Sequence, residues 1–394
     1  MTPEQKFFIK ILADHVAGKK TETPEGLDWN AISRLSKAHQ VEGIVMKQCG
    51  DDIPDDYRER FNQAQGTTLF YYTNRRADMK EVAEALKREN IPFFVVKGFE
   101  VAQFYPYPAL RTMSDCDIVI ENNYKRKAIE ILKGMGFQSS IPPTAQQWAC
   151  KRNGIGFELH DALVQHGEFT NSAQEHFFNS FAQYVTNGSL DWSFHFLFLL
   201  MHLRKHFLNY GVGFRQFMDL AVLIQNGPDL DWIWMEEKLQ ELKLAKYAHA
   251  CYSLIERWFA VSAPISFHRM PYTEQEIMTD QIFKGGVFGF DEEENHNNAA
   301  RTALVKSRGP IWLKRCMALI RTVFPRYELM RGYPGCGYID NRRYLLPVSW
   351  IHRFWILLRT GDFNRVFKVI RNSFIRKEEL EERKKTIKIM GLGE

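Results

Sequence analysis

The chain has 394 residues, 45% of them hydrophobic and 25% charged, with 52 Lys+Arg against 47 Asp+Glu. That is enough to bury a sizeable core in two or three parts, and the composition excludes a disordered or collagen-like chain. The net charge of +5 conceals a split: residues 301–394 carry 21 Lys+Arg and 8 Asp+Glu, a local surplus of +13, which leaves the rest at −8.

The first ninety residues read as helices. Phe7, Ile11, Leu12 and Val16 repeat at helical spacing, Asp28 is a helix N-cap for WNAISRLSKAHQ, and a long helix runs from about Asp55 to Glu89, where Asn90 and Pro92 end it. The texture then changes. Ile91–Val96 (IPFFVV) is a short apolar strand, followed by Lys97-Gly98 and helical spacing over Glu100–Tyr105. Cys116–Glu121 reads as a second strand, Tyr124–Phe137 as a helix, and Gly154–Leu163 as a third strand, with TAQQWACKR left as a short connection.

Beyond residue 170 helical periodicity returns, in FHFLFLLMHLRKHFLNYG, FRQFMDLAVLIQN, the long run from Asp231 to Ala260, and IWLKRCMALIRTVF. Two loops interrupt it, Lys284–Asn298 and Arg326–Pro347. The expected fold class is α+β: residues 1–90 helical, 91–165 a small mixed-sheet core, 166–300 a helical domain and 301–394 a basic helical region. Six scattered cysteines without a CxxC pair are expected to be reduced thiols of a cytoplasmic protein. The start of the chain carries charges at helical spacing rather than an apolar leader, and the most apolar run, Phe194–Leu203, is half the ~20 residues of a membrane span.

Three carboxylates carry the chemistry. Asp115 and Asp117 lie two apart on one strand and so project from the same face, while Ile118 and Ile120 turn to the core. Carboxylates held that close repel unless a cation lies between them, and hard divalent cations take oxygen ligands. Glu158, flanked by Phe157 and Leu159, can complete a three-carboxylate metal site from a neighbouring strand. Upstream, the order strand, Lys97-Gly98, helix suits a phosphate cradle: Gly98 admits a close ligand and Lys97 supplies charge.

KGFEVAQFYPYPALRTMSDCDIVI resembles the signature of the uncharacterised nucleotidyltransferase family of bacteria, within the polymerase-beta-like nucleotidyltransferase superfamily. GFELHDAL is similar to that family's third-acid strand, and the likeness continues through MHLRKHF, FRQFMDLAVLI, GGVFG and a Tyr-Pro…LLP…W…R stretch, over about residues 30 to 355. The resemblance implies a nucleotidyltransferase-type sheet and transfer of a nucleoside monophosphate from an NTP, such as ATP, to an acceptor. It also implies Mg²⁺ or Mn²⁺ on Asp115, Asp117 and Glu158, with Lys97, Gly98, Arg111 and Ser114 at the nucleotide. His160, which follows the third acid, His202 and His206, and Arg215 and Asp219 are candidates for the cleft. The i, i+4 spacing of Arg215 and Asp219 predicts a structural ion pair. This sequence departs from the superfamily in Phe99, where Gly-Gly or Gly-Ser is usual, and in Ala162, where the family has an aromatic.

The competing readings are an inactive, antitoxin-type binding scaffold and a peripheral membrane or nucleic-acid binder. The last rests on the C-terminal mixture of Phe354, Trp355, Phe363, Phe367 and Phe374 with Arg353, Arg359, Arg365, Lys368 and Arg371. The plainer expectation there is that the aromatics pack on the helical arm and the cations face water.

Overall fold

A computed structural model describes residues 1–139, 147–164, 171–186, 188–209, 211–286, 342–360 and 377–393, with scattered positions between 301 and 339. The described residues fall into two compact units. One is drawn from Met1–Phe207, Gly211–Phe290 and Ile389–Gly391, the other from Leu208–Tyr210, Asp291–Lys388 and Leu392–Glu394.

The first unit is an α+β body whose helices begin where the sequence supplies caps. Thr2 and Gln5 form a capping box ahead of α1 (Pro3–Val16), and the Asp28 carboxylate accepts the backbone N–H groups of Asn30 and Ala31 at the start of α2 (Trp29–His39). α3 (Glu42–Cys49) leads to α4 (Asp55–Arg88), which stops at a left-handed Asn90.

The sheet is built from β1 (Phe93–Val96), β2 (Asp115–Ile120), β3 (Gln147–Arg152) and β4 (Ile155–His160), in the order β1-β2-β4-β3. β1 and β2 are antiparallel, β2 and β4 parallel, and β4 and β3 antiparallel. Between β1 and β2 lie the single-turn α5 (Gly98–Val101) and two short 3₁₀ turns; α6 (Asn122–Gly134) follows β2.

β3 corrects the sequence expectation, which assigns no strand to TAQQWACKR. It forms because Asn153 and Gly154 both adopt positive φ (51° and 81°) and close a hairpin onto β4. One face of the sheet is covered: Cys116, Ile118, Ile120, Phe157, Leu159 and Trp148 pack against Met79, Val82 and Leu86 of α4 and Ala128, Ile129 and Leu132 of α6. Burying each large apolar side chain there contributes about 1.5–3 kcal/mol. The strand period of two therefore commits Asp115, Asp117, Glu158 and His160 to the opposite face.

That face meets the helical part of the same unit. α7 (Ser172–Asn179) and a two-stranded ribbon, β5 (Val185–Thr186) with β6 (Ser189–Leu190), lead into α8 (Trp192–Asn209) and α9 (Phe214–Asn226). The run of helical periodicity from Asp231 to Ala260 forms two helices, α10 (Trp232–Glu241) and α11 (Ala245–Phe259). Lys243 between them takes a left-handed φ of 57°, which no helix continues. α12 (Tyr272–Gly285) completes the unit as described.

In the second unit the described helices are Leu346–Thr360 and Lys377–Ile389. Among the described residues no helix is long and apolar enough to cross a membrane. Phe363, Phe367, Phe374, Arg365, Lys368 and Arg371 lie outside the described residues, as does most of IWLKRCMALIRTVF.

Candidate active site

The site starts from strand register. Asp117 on β2 stands directly across from Glu158 on β4 and from Val96 on β1, and Asp115 stands across from Gly156. In a parallel pair, residues in register point to one side, so Asp117 and Glu158 share a face with His160, two residues further along β4.

Their contacts are short. The Lys97 ammonium donates to Asp117 Oδ1 at 2.5 Å, and His160 Nε2 lies 2.8 Å from the same oxygen and 3.3 Å from Glu158 Oε2. Because a carboxylate only accepts, His160 must carry its hydrogen on Nε2 there. Asp117, Glu158 and His160 each offer a ligand atom within 4.8 Å of the others, a group able to hold a metal ion. Asp115 stands at the edge of that triad and accepts a hydrogen bond from the Ser114 hydroxyl at 3.0 Å.

Electrostatically the acids are one cluster. Burial, then the charges of Asp117 and Glu158, push the Asp115 carboxyl up. Burial acts on Asp117 in the same direction, but Lys97 and His160 outweigh it and hold that carboxyl well below the usual carboxylate range. His160 is pulled down by burial, yet its bonds to Asp117 and Glu158 raise it overall. Three carboxylates thus meet one lysine, which leaves a surplus of negative charge on a partly open face.

Lys97 reaches the cluster through an unusual backbone. Its φ of 63° and ψ of −138° turn the chain sharply at the end of β1. The turn is fixed from below, where the Lys97 N–H donates to His195 Nε2 of α8 at 2.9 Å. His195 is buried, stacked on Trp192, and held neutral with its pKa lowered to about 3 by burial and by Lys97, as an acceptor must be. Nothing in the sequence links His195 to Lys97, which is 98 residues away. The sequence also assigns Lys97 to phosphate, whereas its ammonium is bound to the acids.

Gly98 is required by a neighbour on the protein itself. A Cβ there would lie 2.2 Å from Arg111 Nη1. Arg111 in turn grips Asp219 of α9 with Nε (3.1 Å) and Nη2 (2.5 Å), and Asp219 also accepts from the Tyr105 hydroxyl at 2.8 Å. The expected Arg215–Asp219 ion pair is not formed. Arg111 and Tyr105 take up the Asp219 oxygens, and Arg215 Nη1 donates instead to Gln40 Oε1, Thr112 O and Thr112 Oγ1 at 2.8–3.1 Å. Burial, then repulsion from Arg111, lowers Arg215 to about 10. Tyr105, Thr112 and Gln40 are members of this network that sequence reasoning missed. Arg75 lies nearby, its Nη2 donating to Ser114 O at 3.2 Å.

His202 and His206 do share a face of α8, with their Nε2 atoms 3.0 Å apart. His202, with Lys97, His160, Lys205, Val96, Phe198, Met201 and Ala162–Val164, lines a narrow pocket that opens beside the acids. Burial and the nearby Lys97 lower both histidines, His206 to about 4.

The sequence profile of the family described as "Uncharacterised nucleotidyltransferase" matches residues 25–260, more than half of the chain. The chain belongs to this family. The matched span runs from just before α2 to the end of α11, so it contains the whole acid cluster and the Arg111–Asp219 network. No curated protein and no solved structure matches the chain.

Proposed function

We propose that the chain transfers a nucleoside monophosphate from an NTP to an acceptor hydroxyl, releasing pyrophosphate, in a reaction that depends on Mg²⁺ or Mn²⁺. The observation that carries this reading is the in-register placement of Asp117 and Glu158 on adjacent parallel strands, with Asp115 beside them, in a member of a nucleotidyltransferase family.

The donor set fits a hard divalent cation. Asp115, Asp117 and Glu158 offer carboxylate oxygens, and His160 bonds two of them and fixes their orientation, as an outer partner of a metal ligand does. Such an ion, when bound, neutralises phosphate charge and orients a hydroxyl for in-line attack. Glu158, the more accessible of the in-register pair, is placed to take the proton of the acceptor hydroxyl. Lys97 balances Asp117 until substrate arrives, and its sharp backbone turn holds the ammonium in place. Gly98, Arg111 and Ser114 would act at the phosphates from beside the acids, Ser114 next to Asp115 and Arg111 through a guanidinium that Asp219 holds against Gly98. The pocket lined by His202, Lys205 and Phe198 is the place for a substrate group that reaches past the acids.

The test is incubation of the protein with each labelled NTP, Mg²⁺ and cell extract, alongside Asp115→Ala/Asp117→Ala. The expected result is label transfer from at least one NTP, reduced at least about a thousandfold in the variant, or roughly 4 kcal/mol of transition-state stabilisation. Transfer that survives in the variant would contradict the assignment.

A further inference from the structure

The second unit contains a helix that is apolar on the side it turns to water. In Leu346–Thr360, Val348 is 50% exposed, Ile351 67%, Trp355 64% and Leu358 64%, and Phe354 and Pro347 are exposed beside them. Their spacing of three and four residues places them on one stripe. The other side is fastened down. Ser349 and Leu357 are buried, the Trp350 indole N–H donates to Pro325 O at 2.8 Å, and Arg353 lies over the Tyr333 ring while donating to Val323 O. The stripe is therefore the outer face of a seated helix. Among the aromatics expected to pack on the helical arm, Trp355 does the reverse. A contiguous exposed apolar patch marks an interaction surface.

Charge selects what covers it. The helix contains no Asp or Glu; Arg359 stands exposed near its end, and Arg342 and Arg343 stand exposed just before its start. The helix belongs to the stretch that carries the +13 surplus. A second copy of the chain paired through this stripe would set arginine against arginine with no carboxylate on the helix to relieve it. Nucleic acid would satisfy the arginines and leave Val348, Ile351 and Leu358 uncovered, because aliphatic side chains offer no stacking face. An anionic bilayer surface satisfies both: acyl chains receive the aliphatic stripe, the headgroup level suits Trp355, and lipid phosphates meet the arginines. Fifteen residues span about 22 Å, short of the ~30 Å hydrocarbon core, so the helix would lie in the interface plane.

We propose that Leu346–Thr360 is an interfacial docking helix that binds the protein to an anionic lipid surface. The site lies outside the residues matched by the nucleotidyltransferase family, so it stands or falls independently of the transfer reaction. The experiment is co-sedimentation of the full chain with vesicles of phosphatidylcholine alone and with roughly one-third phosphatidylglycerol. Wild type is expected to partition onto the anionic vesicles, less so as salt rises. Ile351→Gln/Trp355→Gln should lower that partition at least about tenfold, and Arg342→Gln/Arg343→Gln should remove most of its salt dependence. Both pairs are exposed, and unchanged thermal melting checks their fold. No partition onto anionic vesicles at low salt, or equal partition of Ile351→Gln/Trp355→Gln, overturns the proposal. A dimer in vesicle-free buffer that this variant dissolves would assign the stripe to a second copy and overturn it too.

Discussion

Two charged regions of the first unit use the same ingredients to opposite effect. In the acid cluster, Asp115, Asp117 and Glu158 meet Lys97 and His160 on a partly open sheet face, and negative charge is left over. In the adjoining network, Arg111 and Arg215 meet Asp219 in a closed interior, and positive charge is left over. Buried charge that is balanced by its own neighbours serves the fold. A surplus on an accessible face is an invitation to a counter-ion, and only the acid cluster offers one.

The difference can be tested from its closed side first. Asp219→Ala leaves the buried Arg111 guanidinium without its carboxylate partner and the Tyr105 hydroxyl without its acceptor, and the expected cost is about 3–5 kcal/mol in urea unfolding. A cost under 1 kcal/mol would mean that the network is far more hydrated than its burial indicates.

Acid should act on the buried imidazoles rather than on the cluster. Burial depresses His39 and His195 to about 3. Their unfolded value is near 6.5, so the unfolded state takes up protons first. Stability is complete above about pH 6.5 and is lost as pH falls towards the folded values, by about 2 kcal/mol for each of the two between pH 7 and pH 5. Asp117, held low, contributes no loss in that window. Urea midpoints measured across the range read this directly, and His39→Leu, which removes one such group while His15, His202 and His206 remain lowered beside His195, should flatten the profile in part.

Gly98→Ala drives a methyl group into Arg111 and is expected to cost about 1–3 kcal/mol while loosening the guanidinium next to the acids. The smallest effect has the opposite sign. Asp115 is raised above its unfolded value, so folding disfavours its ionised form, and stability it confers at low pH is lost as pH rises through the folded value. Asp115→Asn should therefore stabilise the metal-free protein at pH 7 while removing transfer activity. Thermal melting and the label assay together separate those outcomes.

Much of this site is legible in the sequence because a period of two is strict: once Ile118 and Ile120 are core, Asp115 and Asp117 must share the other face. β3 was within reach too, since Asn153-Gly154 between WACKR and IGFEL is a hairpin signal. The Arg215–Asp219 pair misled because helical spacing shows who is near and not who competes. Arg111 offers a two-pronged grip on Asp219 from 108 residues away, and no local pattern records that. The same limit hid His195, whose role is to receive one backbone N–H. At Trp355 the pattern of apolar and basic residues was visible, but only packing decides which of the two sides of a helix is the covered one.

The central claim is that the surplus of the acid cluster waits for a divalent cation carrying a triphosphate. Calorimetric titration with non-hydrolysable NTP analogues, with and without Mg²⁺, tests it most directly on wild type and Asp117→Asn. The account predicts binding that requires Mg²⁺ and weakens at least about tenfold, or 1.4 kcal/mol, in the variant. Equal affinity without Mg²⁺, or unchanged affinity in Asp117→Asn, would contradict it.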